Sequence, residues 1–130
     1  MMSEKFTVEI ISPDKSMLKT EAYEVTIPSF EGEIGILKDH IPLITFLRPG
    51  LIKILNGSEK TFFVEEGTVE FSNNILLILS STAKIISEID TKFINNLIDD
   101  TEKKIKSKIL SDKENYLLSH KLEVLKTFNQ

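Results

Sequence analysis

The sequence contains no cysteine and no tryptophan, and neither glycine nor proline occurs after Gly67. Without cysteine there are no disulfides, thiolate metal sites or thiol nucleophiles, and a reducing compartment is the natural setting. Nowhere does an apolar run approach the roughly 20 residues of a membrane-spanning helix. Met1 to Phe6 has no charged-then-apolar leader pattern, so no signal peptide is read there. Cationic excess is lacking too: Lys+Arg number 16 against Asp+Glu 20, for a net charge of −4 and a pI near 5.2. That balance disfavours nucleic-acid binding, which draws its affinity from phosphate neutralisation by clustered Lys and Arg. The 130 residues are 41% hydrophobic and 28% charged. These proportions suit one domain, or a small domain with an appendage, and neither a disordered polyelectrolyte nor a membrane protein. A mildly acidic, soluble, intracellular globular protein is expected.

The punctuation divides the chain. Pro13, Pro28, Pro42 and Pro49, with Gly32, Gly35, Gly50, Gly57 and Gly67, all fall in the first 67 positions. Because these residues mark turns and break helices, a turn-rich β part over 1–88 should precede an uninterrupted helical part over 89–130. Charge divides at the same place. Residues 1–88 carry 8 basic and 13 acidic groups, and residues 89–130 carry 8 and 7. The Lys-rich tail reads first as a solvated helix face, although it could also dock on acidic surfaces.

Period-two patterns fill the first part. Phe6, Val8 and Ile10 alternate with Thr7 and Glu9, and Tyr23, Val25 and Ile27 alternate with Glu24 and Thr26. Leu51–Leu55 and Thr61–Val64 flank Asn56-Gly57, a hairpin signal in which both turn positions call for positive φ. Val69 and Phe71 lead to a second tight turn at Asn73-Asn74, then to Ile75–Leu79 and a last candidate strand at Lys84–Ser87. Pro49-Gly50 has type II turn chemistry. Gly32-Glu33-Ile34-Gly35 lacks the spacing of a phosphate loop and reads as a turn of unusual φ. Strands at such short spacing point to a sandwich or barrel.

The second part has helical period. Ile89, Phe93, Leu97, Ile105 and Ile109, widened by Ile94 and Ile98, form one apolar stripe with Lys103, Lys104, Lys106 and Lys108 outside it. Asp90 suits an N-cap. Ser111-Asp112-Lys113-Glu114 has capping-box form and implies a break near 110–112. Leu118, Leu122 and Leu125 stripe the second helix, so the tail should be an antiparallel helical hairpin.

Catalytic chemistry is not evident. The two histidines, His40 and His120, lie in different parts, and neither has a second ligand type at metal spacing. An Asp39-His40 dipeptide in extended chain sends its side chains apart, and His120 between Leu118 and Leu122 reads as a surface or inter-helix residue. Glu65-Glu66, before Gly67, reads as solvated rather than as an acid–base pair. No catalytic, cofactor or metal residue is therefore assigned.

The stretch from Val25 to Ile54 is the most distinctive text. Ile27-Pro28, Gly32-Glu33-Ile34-Gly35-Ile36, His40-Ile41-Pro42-Leu43 and Leu47-Arg48-Pro49-Gly50 occur in order. Together they resemble the signature of the epsilon subunits of bacterial and chloroplast F-type ATP synthases. FFVEEGTVEF (62–71) and LLILSSTA (76–83) are similar to the strands that follow in that family, and the likeness covers about residues 5–90. The resemblance implies a β-sandwich of about ten strands followed by an α-helical hairpin. It also implies a non-catalytic, cofactor-free rotor subunit that binds the gamma subunit and sits against the membrane rotor ring below the catalytic alpha and beta head. Its place would be peripheral, on the cytoplasmic face of the bacterial inner membrane, and its hairpin would either regulate hydrolysis or stay folded on the sandwich. Carried over by position, Glu33 would face the ring, with Ser12, His40 and Thr45 near the gamma and ring contacts.

Two departures stand out. Glu66 takes the first position of a common glycine pair, which is tolerable only if that position avoids positive φ. In the ATP motif of some relatives, I/L-D-x-x-R-A, this chain has Ile89-Asp90-Thr91-Lys92-Phe93-Ile94. Phe93 and Ile94 replace Arg and Ala, which argues against ATP binding, because Lys92 is only a point charge one position away. The alternative is an unrelated β-sandwich binding module with a helical tail. It lacks an aromatic platform, since Trp is absent and the Phe residues mostly alternate into the core.

Overall fold

The computed structural model describes residues 4–107 and 110–128. Lys108 and Ile109, the last members of the expected Lys face and apolar stripe, lie outside the described residues. The chain divides into two compact units, up to Ile85 and from Ile86 on.

The first unit is a sheet of ten strands, nine in one hydrogen-bonded path and β4 paired to β3 beside it. They are β1 (Phe6–Ile11), β2 (Ser16–Ala22), β3 (Glu24–Ser29), β4 (Gly32–Leu37), β5 (Leu43–Leu47), β6 (Gly50–Leu55), β7 (Glu59–Val64), β8 (Gly67–Ser72), β9 (Ile75–Leu79) and β10 (Lys84–Ile85). One layer runs β4-β3-β6-β7-β10 and the other β5-β8-β9-β1-β2. They meet where Ser29 of β3 pairs with Leu47 of β5. Two flanking bonds hold that corner: Phe30 N–H donates to Phe46 O at 3.2 Å and Arg48 N–H to Pro28 O at 3.0 Å. β1 runs parallel to β9, and the other pairings are antiparallel. The alternating residues of both layers turn inward to form the core, from Phe6, Val8 and Ile10 through Val25, Ile27, Ile52 and Ile54 to Phe71, Leu76 and Ile78.

Several turns differ from the expectations of sequence. Asn73 and Asn74 do take left-handed φ of 52° and 59°, forming the tight β8–β9 turn. In the β6–β7 turn only Gly57 is left-handed, because the loop is three residues long between paired Leu55 and Glu59. Pro49-Gly50 is not a type II turn: Gly50 is not left-handed. Its need for glycine is close approach, since a β-carbon there would lie 2.5 Å from Pro28 Cβ. Of the Gly32–Gly35 segment only Gly32 has positive φ, and the segment is strand β4. Glu66 avoids positive φ, and the constraint falls on Gly67, where a β-carbon would meet Leu79 O at 2.5 Å. β3 continues one residue past Pro28. The last strand stops at Ile85, after which residues 86–88 form a 3-10 turn closed by Ile89 N–H on Ile86 O.

The second unit has two helices that pack on each other, α1 (Thr91–Ser107) and α2 (Asp112–Thr127). Asp90 caps α1, its Oδ1 accepting from Phe93 N–H at 2.8 Å. Ser111 and Glu114 form the expected reciprocal capping box on α2. Ile94 and Leu125 are buried, while Phe93, Leu97, Ile98, Ile105, Leu118 and Leu122 are half-buried and Lys103, Lys104 and Lys106 are exposed. Thr101, also buried, returns its hydroxyl to Leu97 O at 2.7 Å.

Candidate partner-binding face

Strand β5, Leu-Ile-Thr-Phe-Leu, has an unusual parity. Its small polar residue faces inward, Thr45 being 7% exposed, and its large apolar residues face out, Ile44 at 77% and Phe46 at 60%. The ladder to β8 sets this choice. Thr45 pairs with inward Val69, while Ile44 stands opposite exposed Glu70 and Phe46 opposite Thr68. Following the register across the layer, the Ile44 row continues through Leu77 of β9 to Glu9 of β1. The Phe46 row continues through Leu79 to Ile11. Leu79 and Ile75 are exposed as well. Adjacent strands lie about 4.8 Å apart, so Ile44, Phe46, Ile75, Leu77, Leu79 and Ile11 form an apolar band across the layer, interrupted by Thr68, Glu70 and Glu9. Such bands on an otherwise polar surface mark interaction sites. The expectation that phenylalanines alternate into the core fails at Phe46 because β5 is apolar at four of five positions, which leaves the parity undetermined by sequence.

The two ends of this layer are built differently. At one end, Ser12 and Pro13 join Ile11, Leu79 and the Glu66–Thr68 segment around a depression of about 520 Å³. Ser12 closes the β1–β2 loop: its Oγ donates to Lys15 O and accepts from Lys15 N–H. Glu66 is not merely solvated, since its Oε1 accepts from Ser81 N–H at 3.1 Å and Ser81 Oγ at 2.6 Å. Ser80 Oγ donates to Glu66 O, and Thr82 Oγ1 accepts from Glu65 and Glu66 N–H.

At the other end, the β4–β5 loop carries His40. Asp39 takes left-handed φ of 66° there, so the Asp-His pair is not extended. The Nδ1 of His40 lies 2.7 Å from Ile41 O, and its ring meets Phe71 edge-on at 5.9 Å. Glu4 accepts from Lys38 Nζ, a hydrogen bond that holds this ammonium above the usual lysine range. Glu33 is exposed on β4 of the other layer, opposite Pro28. The structure thus sets Ser12 and His40 at opposite ends of one layer, Glu33 on the other layer and Thr45 in the interior, and does not gather the four into one cluster. The exposed Ile44 and Phe46 on either side of Thr45 were not singled out by sequence.

Among the described residues, no group of three or more His, Asp or Glu could hold a metal ion, and no helix is long and apolar enough to cross a membrane. His120 meets Tyr116 edge-on at 4.7 Å within α2. At the start of α1 the Asp90 carboxylate is engaged as the helix cap, with Phe93 half-buried and Ile94 buried behind it.

Residues 5–86 match the family model for the ATP synthase delta/epsilon chain β-sandwich domain. The chain is 48% identical to the ATP synthase epsilon chain of Pelagibacter ubique, over 98% of this chain and all of that one. It is 36% identical to the epsilon chain of Dichelobacter nodosus, over 82% and 76% of the two chains. In fold it is similar to a chain of the Euglena gracilis mitochondrial ATP synthase OSCP/F1/c-ring assembly, with a TM-score of 0.76 at 18% identity over 99% of this chain and 82% of that one. A chain of the Tetrahymena thermophila central stalk and c-ring gives 0.71 at 18% identity over the whole of both. The sandwich match and the near full-length identity place this chain in the family of ATP synthase epsilon chains.

Proposed function

We propose that this epsilon chain works as a non-catalytic rotor subunit that docks the gamma subunit on the apolar band of β5, β8, β9 and β1. The observation that carries this reading is the outward parity of Ile44 and Phe46. In this reading the sandwich also rests against the membrane rotor ring, so that ring rotation reaches the catalytic alpha and beta head. The chain would then be peripheral, on the cytoplasmic face of the inner membrane. Torque transfer favours a stiff body, and a sandwich with densely packed inner faces supplies one. Ser12 and the depression beside it lie at the end of the band and belong to the same contact, while Glu33, on the other layer, is placed toward the ring. No nucleotide is required: Asp90 serves as a helix cap, and Phe93 and Ile94 offer no phosphate donor.

The test is binding of the gamma subunit of the same synthase. The wild-type chain should copurify with it in one-to-one ratio and show no ATP hydrolysis alone. Ile44→Glu and Phe46→Glu introduce charge at positions already in water and should leave folding intact. Each should weaken binding by about tenfold or more, as expected at a buried interface anchor. Full affinity in both variants would overturn the assignment of this face.

A further inference from the structure

The β4–β5 loop is tied to the β8–β9 turn by a reciprocal pair. Asp39 N–H donates to Asn74 Oδ1 at 2.7 Å, and Asn74 Nδ2 donates to Asp39 Oδ1 at 3.0 Å. Both residues are left-handed, at φ 66° and 59°, a conformation that Asp and Asn tolerate better than other side chains. Further links fix the same loop. His40 N–H donates to Leu37 O at 3.1 Å, and the His40 ring meets Phe71. Pro42 restricts the backbone of Ile41 before it to extended conformations. Yet the residue held by all of this, Ile41, is 74% exposed. The core gains little from an isoleucine so placed. The Asn74 side of the clasp leads directly into exposed Ile75, and exposed Ile44 follows three residues after Ile41, so apolar residues of the band adjoin both sides of the clasp along the chain.

We propose that Asp39 and Asn74 are positioning residues, whose clasp presents Ile41 as a preformed anchor to the apolar surface of the stalk partner. This rests on the reading that gamma docks on the band. A loop already held in its bound shape loses less conformational freedom on association, and that saving appears as affinity.

Glycine variants test it, because glycine tolerates the left-handed backbone; Asn74→Gly removes both bonds of the clasp, and Asp39→Gly only the one accepted by its Oδ1. Binding is measured by calorimetry with the purified gamma subunit, beside thermal melts of each variant. Each single variant should weaken binding by about threefold to tenfold. The double variant should be no weaker than Asn74→Gly, which already removes both bonds. In an Ile41→Ala background, Asp39→Gly should then have almost no further effect. A merely structural clasp would lower the melting temperature and leave gamma affinity unchanged, or would cost as much with Ile41→Ala as without it. Either result overturns the proposal. Failure of the wild-type chain to bind gamma would instead remove the docking reading on which it rests, and the proposal with it.

Discussion

A β-carbon at Gly50 would stand 2.5 Å from Pro28 Cβ and 2.9 Å from its Cγ, where β6 begins beside β3. Neither atom belongs to a flexible side-chain end, so the strands themselves would have to separate. Gly50→Ala should therefore destabilise the sandwich by about 1–3 kcal/mol through overpacking. A thermal melt should show this as a fall of several degrees, and an unchanged midpoint would mean that the corner yields freely. The contact is invisible in sequence, where Pro49-Gly50 suggests a left-handed glycine instead. At the start of α1 single residues also decide a function. Asp90 accepts from Phe93 N–H, and the position that would carry an arginine in ATP-binding relatives is half-buried Phe93. A ligand at one hundred times its Kd stabilises the folded state by about 2.7 kcal/mol. Millimolar Mg-ATP should leave the melting temperature of this chain almost unmoved, and saturable micromolar binding by calorimetry would refute that expectation.

Elements differ in how far their sequences declare them. Helix α2 announces its own start: Ser111 Oγ accepts from Glu114 N–H at 3.1 Å, and Glu114 Oε1 accepts from Ser111 N–H at 3.3 Å. Ser111→Ala should cost about 1 kcal/mol of helix stability, and Ser111→Gly only roughly a few tenths, because glycine is a fair N-cap. Circular dichroism melts at the helical signal would separate the two, and equal losses would mean that the cap is dispensable. β1, with its strict Phe6-Val8-Ile10 alternation, and the Asn73-Asn74 turn are equally legible, since each carries its full signal within a few residues. β5 is not. In Leu43-Ile44-Thr45-Phe46-Leu47 either parity buries isoleucine or leucine, and only the pairing with β8, more than twenty residues away in sequence, resolves it. β4 was hidden for a related reason. Its two glycines read as a turn, yet Gly35 has ordinary strand geometry beside Thr26. The family pattern around His40 and Glu33 names residues on different layers and does not single out Ile44 and Phe46. The face that carries those two depends on register, which local sequence does not contain.

On the scale of the whole molecule, the two units follow from two kinds of sequence. All residues of the hydrophobic core cluster fall between Phe6 and Ala83. Fully burying one such Val, Ile, Leu or Phe side chain contributes about 1.5–3 kcal/mol, and the sandwich holds more than a dozen. The helical unit has Ile94 and Leu125 buried, and helices of 17 and 16 residues are close to the length at which isolated helices are marginal in water. A chain ending at Glu88 keeps every core residue of the sandwich and the entire apolar band. It should therefore fold, melt cooperatively and bind gamma with the affinity of the full chain. Loss of gamma binding on this truncation would defeat the division into a docking sandwich and a separate tail. The same truncation also probes regulation in the assembled synthase. Residues 89–130 carry 8 basic and 7 acidic groups, a near balance that gives Lys103, Lys104 and Lys106 little net field with which to hold an acidic surface. Screening at physiological salt shortens that field to about 8 Å. ATP hydrolysis by the synthase should accordingly rise only modestly when the tail is removed. A many-fold rise, assayed at matched assembly, would mean that the hairpin grips the catalytic head through its apolar stripe rather than its charge, with Phe93, Leu97 and Leu118 the first residues to replace.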